Sequence, residues 1–320
     1  MAAAILVLSG CAATPSPESA QGDLLGSVDT MFGTVDVPTP ADGELTVVAL
    51  GWSDAEMALS LGVVPVAVYD WQGFGAENKG VGPWATSLFG DTDPQIIERS
   101  SDNLNFEQIE LLEPDLILNT RSSNDEKEFE RLSQIAPTVS APEGTAAFAT
   151  DWATQLSSVS EALGLADDGQ SLIESTEQSI ADAAAAHPEF AGKTTASAAK
   201  FGDAYGAYLS GDGRFDILSD LGFVSNPAIE ALGSEGFYVA VSAENVPAFD
   251  ADVIVMLPIG YTLAETESDP LIASLQVVKD DRAVFIDPDS ELSGAYSAAS
   301  VLSIPVVLDQ LVPELAAAAS

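Results

Sequence analysis

Residues 151–188 read DWATQLSSVSEALGLADDGQSLIESTEQSIADAAAAHP, and no strand pattern interrupts them. Trp152, Leu156, Val159 and Leu163 recur at helical spacing, which predicts one helix over 151–163. Gly164 stops it. Asp167 or Asp168 is the expected cap of a second, longer helix through Leu172, Ile173, Ile180 and Ala184, ending near His187 and Pro188. On either side the pattern changes to short apolar runs alternating with helical segments. A strandless helical block between two such halves reads as a spine joining two lobes.

Before the spine, LTVVAL (45–50) is a continuous apolar run ended by Gly51, as suits a strand buried on both faces of a parallel sheet. Ser53 and Asp54 are the expected cap of a helix over 55–61, with Gly62 as its stop. A strand over 63–69, helices over 105–112 and 125–135, and strands over 115–119 and near 138–139 continue the alternation. After the spine, strands are expected over 194–201 and 204–210 and a helix over 213–221. The halves echo one another. Glu107 follows the capping residue Asn105 and leads, eight residues on, to Asp115 and the run LIL. Glu244 follows Ser242 and leads, eight residues on, to Asp252 and VIV. The fold class is α/β, with two Rossmann-like lobes joined by a long rigid helix: 44–150, a helical segment 151–190, and 191–320.

The first residues concern the compartment. An apolar run over 2–8 precedes LSGC (8–11). It is too short to span a bilayer, which takes roughly 20 residues, but it suits the apolar region of a signal peptide. LSGC resembles a bacterial lipobox, in which Cys11 would be acylated and become the mature N-terminus. Residues 12–43, rich in Pro, Ser, Thr, Asp and Gly, read as a mobile tether.

Fifty acidic against ten basic residues give a net charge of −40, which opposes nucleic acid and anionic lipid headgroups. One cysteine excludes an internal disulfide. His187, the single histidine, excludes His-rich metal sites and most imidazole chemistry. The run GWSDA (51–55) lacks the last glycine of a nucleophile elbow, and His187 is expected at the far end of the spine, so an enzyme is not indicated. A purely structural surface protein would explain the anchor and the acidity, but not two lobes with a cleft.

The runs VVALGWSDAE (47–56), LGVVP (61–65), NFEQI (105–109), EPDLIL (113–118) and LSQIAPTV (132–139) together resemble the ferric-siderophore and cobalamin branch of importer solute-binding proteins. HPEFAGK (187–193) and GFYVAVSAE (236–244) resemble its actinobacterial ferric-siderophore members. The resemblance covers about residues 45 to 315. It implies the two-lobed class III periplasmic-binding-protein fold with ligand held between the lobes. It further implies a monomeric, lipid-anchored, extracytoplasmic component that delivers its cargo to the permease of an ATP-driven importer. Glu107 and Glu244, one per lobe, match glutamates that pair with permease arginines. Members carry hydroxamate, catecholate or mixed siderophores, haem or cobalamin, so the ligand class stays open among these.

Ligands of open α/β sheets sit outside the carboxyl ends of the strands. That rule selects Trp52, Trp71, Trp84 and Arg121 in the first half, and Tyr208, Arg214 and Tyr238 in the second. Aromatic rings can cover the partly apolar faces of a ferric chelate, and guanidinium groups can reach its oxygens. Packing between loop and lobe is the alternative role for the tryptophans. For the arginines it is a surface ion pair. Trp152 is expected on the core side of its helix. No intrinsic cofactor or protein-bound metal is expected, and iron(III) would arrive only inside a siderophore.

Overall fold

A computed structural model describes residues 23–100, 103–202, 204–233 and 236–320. An N-terminal hairpin, β1 (Leu24–Thr30) and β2 (Gly33–Pro38), precedes the first lobe. That lobe contains β3 (Val47–Ala49), α1 (Asp54–Ser60), β4 (Ala67–Val68), α2 (Pro83–Thr86), β5 (Gln95–Ile96), β6 (Arg99–Ser100), β7 (Asn103–Leu104), α3 (Phe106–Glu110), β8 (Leu116–Asn119), α4 (Glu126–Leu132) and β9 (Thr138–Ser140). Helices α5 (Trp152–Ala162) and α6 (Ala166–Ala186) follow. The second lobe has β10 (Thr194–Phe201), β11 (Ala204–Tyr208), α7 (Gly213–Asp220), β12 (Val224–Ser225), α8 (Pro227–Glu230), β13 (Tyr238–Val241) and β14 (Val253–Ile259). It closes with α9 (Leu263–Glu267), α10 (Gln276–Lys279), β15 (Ala283–Phe285), α11 (Glu291–Ala298) and α12 (Ile304–Ala318).

The first sheet has the order β5-β4-β3-β8-β9 and is parallel throughout. Every residue of β3 and β8 is buried, which is why both runs are apolar up to Asn119 at the end of β8. The second sheet, β13-β11-β10-β14-β15 with β12 beside β10, is mixed. Its β10, β14 and β15 are parallel, and the β11 and β13 edge is antiparallel.

Helix α6 is 21 residues long, about 30 Å at the usual rise. Its buried face joins two cores, since Ile173 packs into the first lobe's core and Ile180 into the second's. Trp152 of α5 packs against both. The cap of α6 differs from expectation. Leu165 occupies the position without a side-chain bond, and Asp167 and Asp168 lie in the first turn, where they favour the helix dipole.

The repeated aspartates do the same work in each lobe. Asp115 Oδ2 accepts from Thr46 N–H at 2.8 Å, beside the start of β3. Asp252 Oδ2 accepts from Thr194 N–H at 2.8 Å, at the start of β10. Of the two caps, Asn105 accepts from Gln108 N–H, while Ser242 makes no side-chain cap bond and starts a 3-10 turn over Ala243–Phe249.

Two expectations need correction. Residues 24–38, assigned to the tether, form the β1–β2 hairpin against α5. Val28, Thr30 and Val37 are its buried residues. Gly26 lies so close to the Glu161 and Ala162 carbonyls that a Cβ would overlap them. Phe32 at the turn stacks on Phe129 at 4.4 Å. The polar composition hid a short period-2 pattern. Second, Ser53 does not cap α1. It is left-handed (φ 63) and its Oγ donates to the Ala298 carbonyl instead. The signal segment, Cys11 and residues 12–22 lie outside the described residues.

Candidate functional site

The loops leaving β3, β4 and β8 meet on one side of the first lobe. Trp52, after β3, stacks on Trp71, after β4, at 4.4 Å and 9°. It also stacks on Phe148 at 4.4 Å. Asp70 positions Trp71, because its carboxylate accepts the Gly73, Phe74 and Gly75 N–H groups at 2.9, 2.9 and 2.8 Å. Phe148 has a left-handed backbone (φ 59), a strained state for a bulky residue that sites tolerate when the surroundings hold it. Ser122 O accepts its N–H at 2.7 Å, and Arg121 Nε donates to its carbonyl at 3.2 Å.

Arg121 is 3% exposed, so it is not half of a surface ion pair. Its Nη1 donates to Ala298 O of the second lobe at 2.9 Å, and its Cζ lies 5.8 Å from the Trp52 ring. Burial lowers its pKa, and the charge of Asp212 counters that shift. Arg214, 6% exposed, is also not a surface residue. It forks onto Asp212 through Nε and Nη2, each at 2.7 Å. Its guanidinium lies 3.6 Å from the Tyr208 ring centroid, and Tyr238 leans on Tyr208 at 5.5 Å. Trp71, Trp52, Arg121, Arg214, Tyr208 and Tyr238 thus form a band across the lobe seam.

Trp84 stands deeper. Its Nε1 donates to Glu56 Oε2 at 2.9 Å, and its ring meets Phe74 edge-on at 5.7 Å. Glu107 and Glu244 are exposed, in the first turns of α3 and the 243–249 turn.

Sequence reasoning missed Phe148, Asp212 and the burial of two carboxylates of α1. Asp54 accepts from Gly51 N–H (3.0 Å), Thr120 N–H (2.9 Å), Gln155 Nε2 (2.6 Å) and Thr120 Oγ1. Gly51 is glycine because a Cβ would overlap Asp54 Oδ2. Glu56 accepts from Trp84, from Gly82 N–H at 3.4 Å and from Ser300 Oγ of the second lobe. Burial raises both pKa values, and the hydrogen bonds pull them back. Two acids inside the short run DAEMALS of an otherwise buried helix were the available signal.

These groups pin one segment of the second lobe to the first. Ser53 and Arg121 both reach Ala298 O, Ser300 reaches Glu56, and Gln72 donates to Gly294 O at 3.2 Å. Ser53 is bonded to Ala298, and His187 is paired to Glu189 beyond the end of α6. Among the described residues no group of three or more His, Cys, Asp or Glu side chains is placed to hold a metal ion.

Comparison with known proteins places the chain in a family. The model of a periplasmic binding protein family matches residues 47–290. The chain belongs to the periplasmic binding protein family. It is similar to a periplasmic solute binding protein of Mycobacterium smegmatis at 30% identity and TM-score 0.79, covering 92% of this chain and 99% of that one. It is also similar to the iron uptake ABC transporter substrate-binding protein PiaA of Streptococcus pneumoniae at 27% identity and TM-score 0.74, covering 92% and 99%. PiaA in complex with ferrichrome superposes with TM-score 0.75 at 27% identity, covering 92% and 98%. No curated protein matches the chain. This periplasmic binding protein has the two-lobed class III fold and is the extracytoplasmic substrate-binding component of an ABC importer. Its family is one of binding proteins, not enzymes.

Proposed function

We propose that this binding protein captures a ferric siderophore of low net charge in the seam between its lobes and delivers it to an ABC permease. The observation that carries the reading is the band of stacked aromatics and buried guanidiniums across the seam. Flat rings can cover the organic face of a chelate, and of the two arginines in the band Arg121 is the one that no carboxylate among the described residues bridges. Arg214 is neutralised by Asp212. A highly anionic catecholate finds little compensation there, so hydroxamates are favoured. PiaA, solved with ferrichrome, supports that class. Trp52, Trp71, Tyr208 and Tyr238 are the proposed ligand-facing rings, with Trp84 behind them, bonded to Glu56. No cofactor resides in the protein, and iron(III) is cargo.

Titration with ferrichrome, ferrioxamine B, a ferric catecholate, haem and cobalamin tests this. The ferric hydroxamates are expected to quench much of the tryptophan emission, because three of the four tryptophans lie in or beside the band. Tight binding of haem or cobalamin alone would defeat the siderophore reading and leave the fold intact.

The cellular part of the reading assigns Cys11 as the acylated anchor and Glu107 and Glu244 as permease contacts, one per lobe. Two charges set apart on a rigid body fix orientation as well as attraction. In the host, Cys11→Ser is expected to release the protein from membranes. The double variant Glu107→Lys, Glu244→Lys is expected to abolish uptake while leaving chelate affinity unchanged. Retention of the serine variant on membranes, or normal uptake by the double variant, removes the corresponding assignment.

A further inference from the structure

A small cluster separate from the main cores of the second lobe holds Ala199, Tyr208 and Phe215, with Phe201, Phe237 and Tyr238 half-buried against it. Tyr238 opens β13 directly opposite Tyr208, and Gly206 lies two residues along β11 on the same face. The Tyr238 ring touches Tyr208 and Phe201, with centroids 5.5 and 5.9 Å away. It leans diagonally over Gly206, where a Cβ would overlap its hydroxyl oxygen. Gly206 is not left-handed, so close approach of the tyrosine, and not a turn, requires the glycine.

The Tyr238 hydroxyl in that position is shielded from solvent and has no hydrogen-bond partner among the described residues. A buried hydroxyl left without a partner is unfavourable, because it has given up its bonds to water and gained none. Burial, with a contribution from Tyr208, pushes its pKa up to about 12, so it stays protonated and lacks an acceptor. Tyr208 is held differently, since Arg214 covers its ring and Asp212 fixes Arg214 with two bonds. One ring of the pair is clamped. The other is held by ring contacts alone, against the demand of its own hydroxyl.

We propose that Tyr238 is a mobile, specificity-determining residue, parked over Gly206 without ligand and rotated outward on capture, so that its ring covers the chelate and its hydroxyl donates to a chelate oxygen. The inference rests on the ferric-siderophore reading above. Gly206 supplies the parking place, and the unpaired hydroxyl supplies the drive to leave it.

Fluorine NMR of fluorotyrosine-labelled protein tests it, with the Tyr238 line assigned by its loss in Tyr238→Phe and ferrichrome as the probe. Saturating ferrichrome is expected to move that line toward the position it already holds in ligand-free Gly206→Ala, whose methyl group blocks the parked state. Tyr238→Phe is expected to bind ferrichrome about tenfold more weakly, the worth of one hydrogen bond. A line that stays in place at saturation, with Tyr238→Phe binding as tightly as wild type, overturns the inference and leaves the siderophore reading standing. If neither ferrichrome nor ferrioxamine B binds the wild type, the hydroxamate reading fails by itself. A Tyr238 line identical in ligand-free wild type and Gly206→Ala overturns the parked position itself.

Discussion

Asp54→Ala is expected to lower unfolding stability by about 3–5 kcal/mol, a large part of the 5–15 kcal/mol that holds an ordinary domain. The carboxylate is fully buried and takes hydrogen bonds from the Gly51 and Thr120 backbone, Thr120 Oγ1 and Gln155 Nε2. Alanine would strand all four donors in a site closed to water. Asparagine is no remedy, because both carboxylate oxygens receive donors and an amide would turn N–H groups toward N–H groups. Urea unfolding of both variants checks this, and a loss below about 1 kcal/mol would show that the cluster is idle. The pH dependence has a definite sign. Burial raises the Asp54 pKa above its ordinary 3.8, so the folded state binds the proton more tightly than the unfolded one. Its contribution to stability is full below 3.8 and is lost as pH rises through the raised value. The gap between wild type and Asp54→Ala should therefore narrow toward alkaline pH.

Arg121→Ala is the second large effect, about 2–4 kcal/mol in stability, with looser lobes. It removes charge-assisted bonds to the Phe148 and Ala298 carbonyls, which lie 27 and 177 residues away along the chain, and a cation beside the Trp52 ring. Relief of the buried charge's desolvation offsets part of the loss. Arg121→Lys should recover less than half, because an ammonium cannot fork to two carbonyls on different lobes. Chelate affinity should fall in both variants, since Phe148 and the stacked Trp52 lose their brace. Full recovery by lysine would mean that charge alone matters. An unchanged urea midpoint in Arg121→Ala would remove the clamp.

Much of the architecture was readable from local pattern. The runs VVA of β3, LIL of β8 and VIVMLP of β14 are apolar because both faces of each are covered. The spacing of Leu156, Val159, Ile173 and Ile180 marked the two helices of the spine, since burial of one helix face repeats on a period near 3.6. The paired Glu–Asp spacing also held physical content, because Asp115 and Asp252 each tie the start of a first strand. The hairpin over 24–38 escaped notice. Its buried positions are few, and its Gly, Ser and Asp content matches that of a linker.

The sequence by itself determined the α/β class, the two halves, the spine, and which loops carry large aromatic and basic side chains. Those properties are encoded by residues close together in the chain, through periodicity and burial. Tertiary structure alone decided what each polar side chain does. Ser53 looked like a helix cap and bonds to Ala298, 245 residues away. Glu56 looked like one more acid of an acidic chain and receives Ser300, 244 residues away. Arg214 looked free for a ligand and is neutralised by Asp212, while Arg121 became a brace between lobes. The physical reason is that a buried polar group takes whichever partner the closed fold brings within about 3 Å. Chain-distant pairings of that kind leave no local periodicity to read.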